Sequence, residues 1–423
     1  MNFLLSIKRS CLTATFSRIA FAAFALSSVA FASCSLAVAA EPPGLFNLNP
    51  ADLHDAKKRL DANDAALLPA LSRLKRDAER ALGTGPFAVT HKYLTPPSGD
   101  KHDYMSLAPY WWPNPNTANG LPYVRRDGEV NPEREQTSDR KRFGDLVQTV
   151  KTLALGYFFT GREGYAVHGA KLVRAWFIDE ATKMNPHLRY AQAVPGQNQG
   201  RGAGVIETHN LPELLDAVGL LKGSSHWSQS DQKQVQEWFG KYLTWLLESP
   251  EGKAEAKAHN NHGTWYDVQV AAFALFAGRA DLAKQVLSEF PANRIAKQIE
   301  PDGRQPHELE RTQSWNYSIF NLEAFFSAAS IGEKLGIDLW KVESPDKRSI
   351  RKALDWLLPF ASGEKKWSYK QISAFDPTKL APLLRHAALR FNEPAYEKTN
   401  SKLAKISGDE RWQLLFPKLT EPN

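Results

Sequence analysis

The chain has 423 residues, with 53 Lys and Arg against 46 Asp and Glu and a formal charge of +7. That excess is small and no dense Lys/Arg stripe occurs, so nucleic acid is excluded as the expected partner. Both cysteines, Cys11 and Cys34, lie in the first forty residues, which excludes disulfides, thiolate nucleophiles and cysteine-ligated zinc from the rest.

The N-terminus reads as a secretory signal over residues 1–40. Lys8, Arg9 and Arg18 precede the apolar run Ile19 to Val38, and the small residues Val38-Ala39-Ala40 end it. Cleavage there lowers the charge to +4 by removing three basic residues and predicts a soluble periplasmic protein without stable membrane insertion. Lipoprotein processing at Phe31-Ala32-Ser33-Cys34 is the lesser alternative, because phenylalanine suits that box poorly. Roughly 380 residues remain, enough for a large core in one or two domains.

Apolar residues then recur at helical spacing. Leu146, Val150, Leu153, Ala154 and Tyr157 share one face, as do Trp238, Tyr242, Trp245 and Leu246. Similar stripes occupy about 54–82, 164–177, 211–222, 265–277, 281–290, 315–335, 350–359 and 379–391. Strand-like alternation is hard to find. The spacing predicts an all-α fold of helical hairpins around a centre, although no repeated motif occurs. Segments 361–378 and 406–423 read as irregular, with no role assigned.

Residues 86–135 break the period, being rich in Pro, Gly, Asp and aromatics. A loop this long in a compact domain is commonly functional. Tyr110-Trp111-Trp112 cannot all point into one core, so this stretch is expected to line a cleft. Arg125 and Arg126 follow as grips for carboxylates at neighbouring subsites. An aromatic plug closing one end of the helical array is the equally weighted bland reading.

Two later stretches carry the chemistry. His259-Asn260-Asn261-His262-Gly263-Thr264-Trp265-Tyr266-Asp267 joins carboxamides to an imidazole. Glu308 to Tyr317 sets Arg311 and Tyr317 six residues apart. The C5 proton of a uronic acid is hardly acidic while the adjacent carboxylate is ionised. Asn261, His262 and Arg311 can neutralise that carboxylate, and losing one preorganised donor of this kind costs about 3 kcal/mol in the barrier. Tyr317 is expected as base and then acid, a nearby arginine favouring its phenolate. His262 is the rival base. Against these stand blander readings: Asn260 and Asn261 as helix caps, and Tyr317 as core. A zinc site on His259 and His262 lacks an evident third ligand, so neither metal nor cofactor is expected. Glu207 with Glu308 or Glu310 keeps a glycoside hydrolase open.

These stretches resemble the alginate lyase superfamily of bacterial polysaccharide lyases. The resemblance rests on Ser98 to Tyr104, Tyr110 to Pro115, Arg126 to Pro132, Asn260 to Gln269 and Glu308 to Tyr317, and covers roughly 85 to 345. It implies an (α/α) toroid, an incomplete barrel of helical hairpins, as one domain over 41–423. It also implies metal-independent β-elimination of a 1,4-linked polyuronate, an acidic polysaccharide such as alginate or a glucuronan. By motif, Asn261, His262, Arg311 and Tyr317 take the catalytic roles. His102, Tyr110, Trp111, Trp112, Arg125, Arg126 and Glu207 are the binding candidates, with Tyr266 orienting His262. The Asn-Asn-His-Gly-Thr-Trp-Tyr form is closer to the branch with glucuronan-type lyases than to mannuronate-specific enzymes. A periplasmic carbohydrate-binding protein without catalysis, or an (α/α)-barrel hydrolase, is the alternative.

Overall fold

A computed structural model describes residues 44–137, 139–404 and 411–418. The expected signal segment lies outside the described residues. Helices α1 (Pro50–Asp61) and α2 (Leu68–Ala81) come first, so the single stripe read over 54–82 is two helices. There follow α3 (Asp139–Thr160), α4 (Glu163–Phe177), α5 (Leu211–Leu221), α6 (Gln229–Glu248), α7 (Pro250–Ala256), α8 (Asn261–Phe276) and α9 (Ala280–Phe290). Short α10 (Ala296–Gln298) and α11 (Pro306–Leu309) lead into α12 (Ser314–Glu333). The last helices among the described residues are α13 (Ile350–Ala361), α14 (Ala381–Phe391), α15 (Pro394–Ala404) and α16 (Trp412–Leu415).

Helices α3, α5, α8 and α12 pack in succession, and α4, α6, α9 and α13 lie against them from outside. This two-layered ring is the toroid. It explains a difference in pattern between the layers. Helix α13 buries one face (Ile350, Ala353, Leu354, Leu357), as an outer helix should. Helices α8 and α12 are buried almost all round, because they meet the outer ring on one side and the lumen on the other. A buried polar network locks these two together. Thr264 Oγ1 and Asn321 Nδ2 both donate to Gln298 Oε1 (2.9 and 3.0 Å), and Asn321 Nδ2 also donates to Gln305 Oε1 (2.9 Å).

The aperiodic stretch holds a little strand after all. Strand β1 (Met105–Leu107) pairs in parallel with β4 (Tyr190–Ala193), and β2 (Trp111–Trp112) pairs antiparallel with β3 (Val124–Arg125). Strands of two to four residues are too short to show alternation in sequence. The stretch is pinned to α3 by a fully buried ion pair, Lys92 Nζ to Asp139 at 2.9 Å. Lys92 also donates to the carbonyls of Lys101 and Asp103. Burial is the larger influence on Asp139 and raises its carboxyl to about 6 against the pull of Lys92.

Segment 361–378 has a structural job. Lys370 O accepts from Ser314 N and Oγ, Ile372 N donates to Thr312 O, and Gln371 bridges Gln313. It thereby braces the first turn of α12, one turn before Tyr317.

Candidate active site

The first turn of α8 shows why each residue of Asn260-Asn261-His262-Gly263 is needed. Asn260 is the N-cap, its side chain accepting from His262 N at 3.3 Å. Asn261 begins the helix and gives both its backbone N–H and its Nδ2 to Glu308 (2.7 and 2.8 Å). The Glu308 carboxyl is fully buried, and burial lifts it to about 7 despite those two donors. His262 Nδ1 lies 2.6 Å from Glu255 Oε1. Gly263 has no room for a side chain: a Cβ there would stand 2.1 Å from Ala258 O and 2.2 Å from Arg294 Nη1. Arg294 uses its fork to hold Asp267 (2.7 and 3.0 Å) and the carbonyls of Ala258 and Ala256, so the loop before α8 is clamped onto it.

Arg311 is held from the aperiodic stretch. Its Nε and Nη2 reach the Asp127 carboxylate (2.8–3.3 Å), which also accepts from Thr312 N and Oγ1. Burial pushes the Asp127 carboxyl up, but the Arg311 and Thr312 bonds outweigh it and hold it down at about 2. The guanidinium carbon sits 3.7 Å from the centre of the Tyr317 ring. The Tyr317 hydroxyl is 2.6 Å from that of Tyr110. Burial drives the Tyr317 phenol well above its ordinary range; Arg311 pulls it down by less, and Tyr110 adds to the rise. Arg311 thus favours the phenolate as expected, but desolvation is the larger influence and the net direction is upward.

Asn261, His262, Arg311 and Tyr317 line one cleft of about 570 Å³, together with Tyr110, Trp111, Arg125 and Glu207. Tyr110, just before β2, and Trp111 on it both enter the cleft, and Trp112 does not. Trp111 pairs opposite Arg125 and both face the cleft. Trp112 points to the other side, where Arg126 lies over its ring at 5.1 Å, and neither lines the cleft. His102 is also elsewhere, its Nδ1 on the carbonyl of Lys183 at 2.6 Å. Tyr266 is buried with its hydroxyl donating to Leu246 O, which ties α8 to α6, so the hydroxyl is spent away from His262. Glu207 accepts from Tyr104 and Ser106 (2.7 and 2.6 Å) and has Arg140 at 3.7 Å. It therefore serves as a buried strut beneath the cleft wall. Glu308 faces Asn261, and Glu310 is exposed outside the cleft, so among the described residues Glu207 has no second carboxyl facing it in the cleft lining for hydrolysis.

Sequence reasoning missed Glu255 and three arginines. Arg134, Arg140 and Arg201 join Arg125 and Arg311 in the lining. The Arg201 guanidinium stands 5.7 Å from the Trp111 ring and donates to Gln192 at 2.7 Å. No local period marks these residues. The glycines at 200, 202 and 204 were the available signal, since a Cβ at each would come within 3 Å of other chain atoms. Such crowding marks backbone pressed into a wall. His259 belongs to no group of three or more potential metal ligands among the described residues.

A helical toroid opening on a cleft with five arginines is built to take an anionic chain, and among such enzymes the polysaccharide lyases are the class this frame defines. Residues 88–367 match the family model for alginate lyase, more than half of the chain, and the protein belongs to that family. It is a polysaccharide lyase. An alginate lyase from Bacteroides ovatus, known from its crystal structure, is 40% identical with a TM-score of 0.84, covering 88% of this chain and 98% of that one. Alginate lyase A1-III from Sphingomonas species A1 shares the fold at 17% identity and TM-score 0.56, covering 90% and 98%. A histidine variant of A1-III complexed with a tetrasaccharide gives 16% and 0.57, covering 91% and 98%. No curated protein sequence matches the chain significantly.

Proposed function

We propose that the protein cleaves alginate or a closely related polyuronate by β-elimination, without a metal ion. The observation that carries this is the meeting of His262 and Tyr317 in one arginine-lined cleft. Asn261 and Arg311 hold the carboxylate of the sugar at the cleavage point and accept the charge that builds on it as the C5 proton leaves. His262 takes that proton at Nε2. The C5–H electron pair forms the C4=C5 double bond, the C4–O4 bond breaks, and Tyr317 gives its phenolic proton to O4. The half-buried phenol, raised by desolvation and so held protonated, suits the acid role. The proton on His262 then returns to Tyr317 before the next turnover.

A second scheme, in which Tyr317 does both jobs, is favoured by Tyr110, whose hydroxyl can donate to a phenolate at 2.6 Å. Stereochemistry separates the two. In mannuronate and glucuronate the C5 proton and O4 share a face, so one hydroxyl can serve both. In guluronate they lie on opposite faces, and two groups are required. The unsaturated product absorbs in the ultraviolet. Incubating the protein with polymannuronate, polyguluronate, glucuronan and hyaluronan should give rising absorbance on at least one alginate block. Reducing ends without absorbance would overturn the lyase chemistry, and activity on glucuronan alone would overturn alginate as substrate. We place the protein in the periplasm on its signal-like N-terminus, and N-terminal sequencing of the exported chain beginning near Glu41 checks it.

A further inference from the structure

We propose that Glu255 is the positioning residue of His262: it fixes the proton on Nδ1 and so turns the Nε2 lone pair toward the substrate. The inference rests on the reading of His262 as a proton acceptor. A carboxylate can only accept, so a ring nitrogen 2.6 Å from Oε1 must carry hydrogen. In a neutral imidazole the other nitrogen is then the acceptor.

The placement of Glu255 is unusual for a glutamate. It is 3% exposed, and its ion-pair partner among the described residues is His262 rather than a lysine or arginine. Arg201 also feels the Glu255 charge, but the direct ion pair is with His262, and burying a carboxylate in such a pair is costly unless the pair is put to use. The backbone that carries it is rigidly seated. Ser249 caps α7 by accepting from Gly252 N at 3.0 Å, and Arg294 grips Ala256 O just beyond Glu255. On the opposite side, Gly202 is pressed so closely on α7 that a Cβ would reach 2.8 Å from Ala254 Cβ and 3.2 Å from Glu255 N. When His262 takes the C5 proton at Nε2, the imidazolium that forms has the Glu255 negative charge already in contact. No reorganisation is then needed in the proton-transfer step.

The test compares the full-length protein with Glu255→Gln and Glu255→Asp. A carboxamide can donate to Nδ1 and switch the ring to the Nε2–H tautomer, whereas aspartate keeps an acceptor. Imidazole nitrogen NMR, with the His262 signal assigned by its loss in His262→Gln, reads the tautomer directly. We expect Nδ1–H in the wild type and in Glu255→Asp, and Nε2–H in Glu255→Gln. Elimination kinetics should show kcat lower by about 10²- to 10⁴-fold in Glu255→Gln, KM within a few-fold, and partial recovery in Glu255→Asp. A Nδ1–H ring in Glu255→Gln, or a switched ring with undiminished kcat, would overturn the proposal. A wild type inactive on every uronate polymer would defeat the functional reading alone, since the spectra still decide whether Glu255 sets the tautomer.

Discussion

The phenolic oxygens of Tyr317 and Tyr110 lie 2.6 Å apart, although 207 residues separate them in the chain. One comes from an inner helix and the other from the aperiodic stretch, so the proton-donating end of the site is completed only when that stretch is docked. Tyr317→Phe should abolish turnover, a loss of about 10²- to 10⁴-fold or more, while a saturated oligouronate still binds. Tyr110→Phe should lower kcat by about tenfold, a bond's worth of about 1–1.5 kcal/mol, with little change in KM. Initial rates of ultraviolet absorbance and calorimetric binding check both. A Tyr317→Phe protein of near wild-type rate would remove the phenol from the mechanism.

Docking of the same stretch depends on Asp127, which grips Arg311 and Thr312. Its carboxyl sits at about 2 in the folded protein, below the ordinary value of about 3.9. The direction of the pH effect follows: the folded state binds this proton less readily, so the contact adds stability above about pH 4 and loses it between about pH 4 and pH 2. Asp127→Asn should abolish that part of the pH dependence and raise KM even at neutral pH. Thermal melting from pH 2 to 7 of both proteins is the measurement; identical curves would deny Asp127 this role.

How much of this was readable beforehand depends on the physics of each piece. The helices were legible because the apolar stripes of outer helices such as α13 follow the 3.6-residue period. Asn260, Asn261, His262, Arg311 and Tyr317 were legible because they lie in two compact stretches of unusual chemistry. Glu255 was not, since one glutamate in Lys253-Ala254-Glu255-Ala256-Lys257 looks like any solvated helix face. Its burial comes from Gly202, fifty-odd residues upstream, and from Arg294 downstream, which no local pattern reports. Trp112 and Arg126 were misplaced for a subtler reason. A two-residue strand fixes which neighbour faces the cleft, yet is too short to declare itself a strand.

The cleft arginines set the salt response. Arg125, Arg134, Arg140, Arg201 and Arg311 line it, and screening lengths fall from about 10 Å at 0.1 M salt to about 3 Å at 1 M. KM for a polyuronate should therefore rise several-fold over that range while kcat changes little. Arg201→Ala should raise KM at low salt and flatten the salt dependence. Steady-state kinetics in increasing sodium chloride would show this, and a salt-independent KM would mean that polymer charge is not what the cleft reads.

Gly263 tests whether the clamp behind His262 is rigid. A methyl group there would overlap Ala258 O at 2.1 Å, a backbone atom that cannot swing aside, and the Arg294 guanidinium at 2.2 Å. Arg294 cannot retreat without releasing Asp267 and two carbonyls. Gly263→Ala is therefore expected to cost about 1–3 kcal/mol and to displace His262, so that kcat falls more than melting temperature alone would imply. Urea denaturation beside initial rates separates the two effects. If the substitution left both stability and rate intact, the loop before α8 would have to be far more yielding than its contacts indicate.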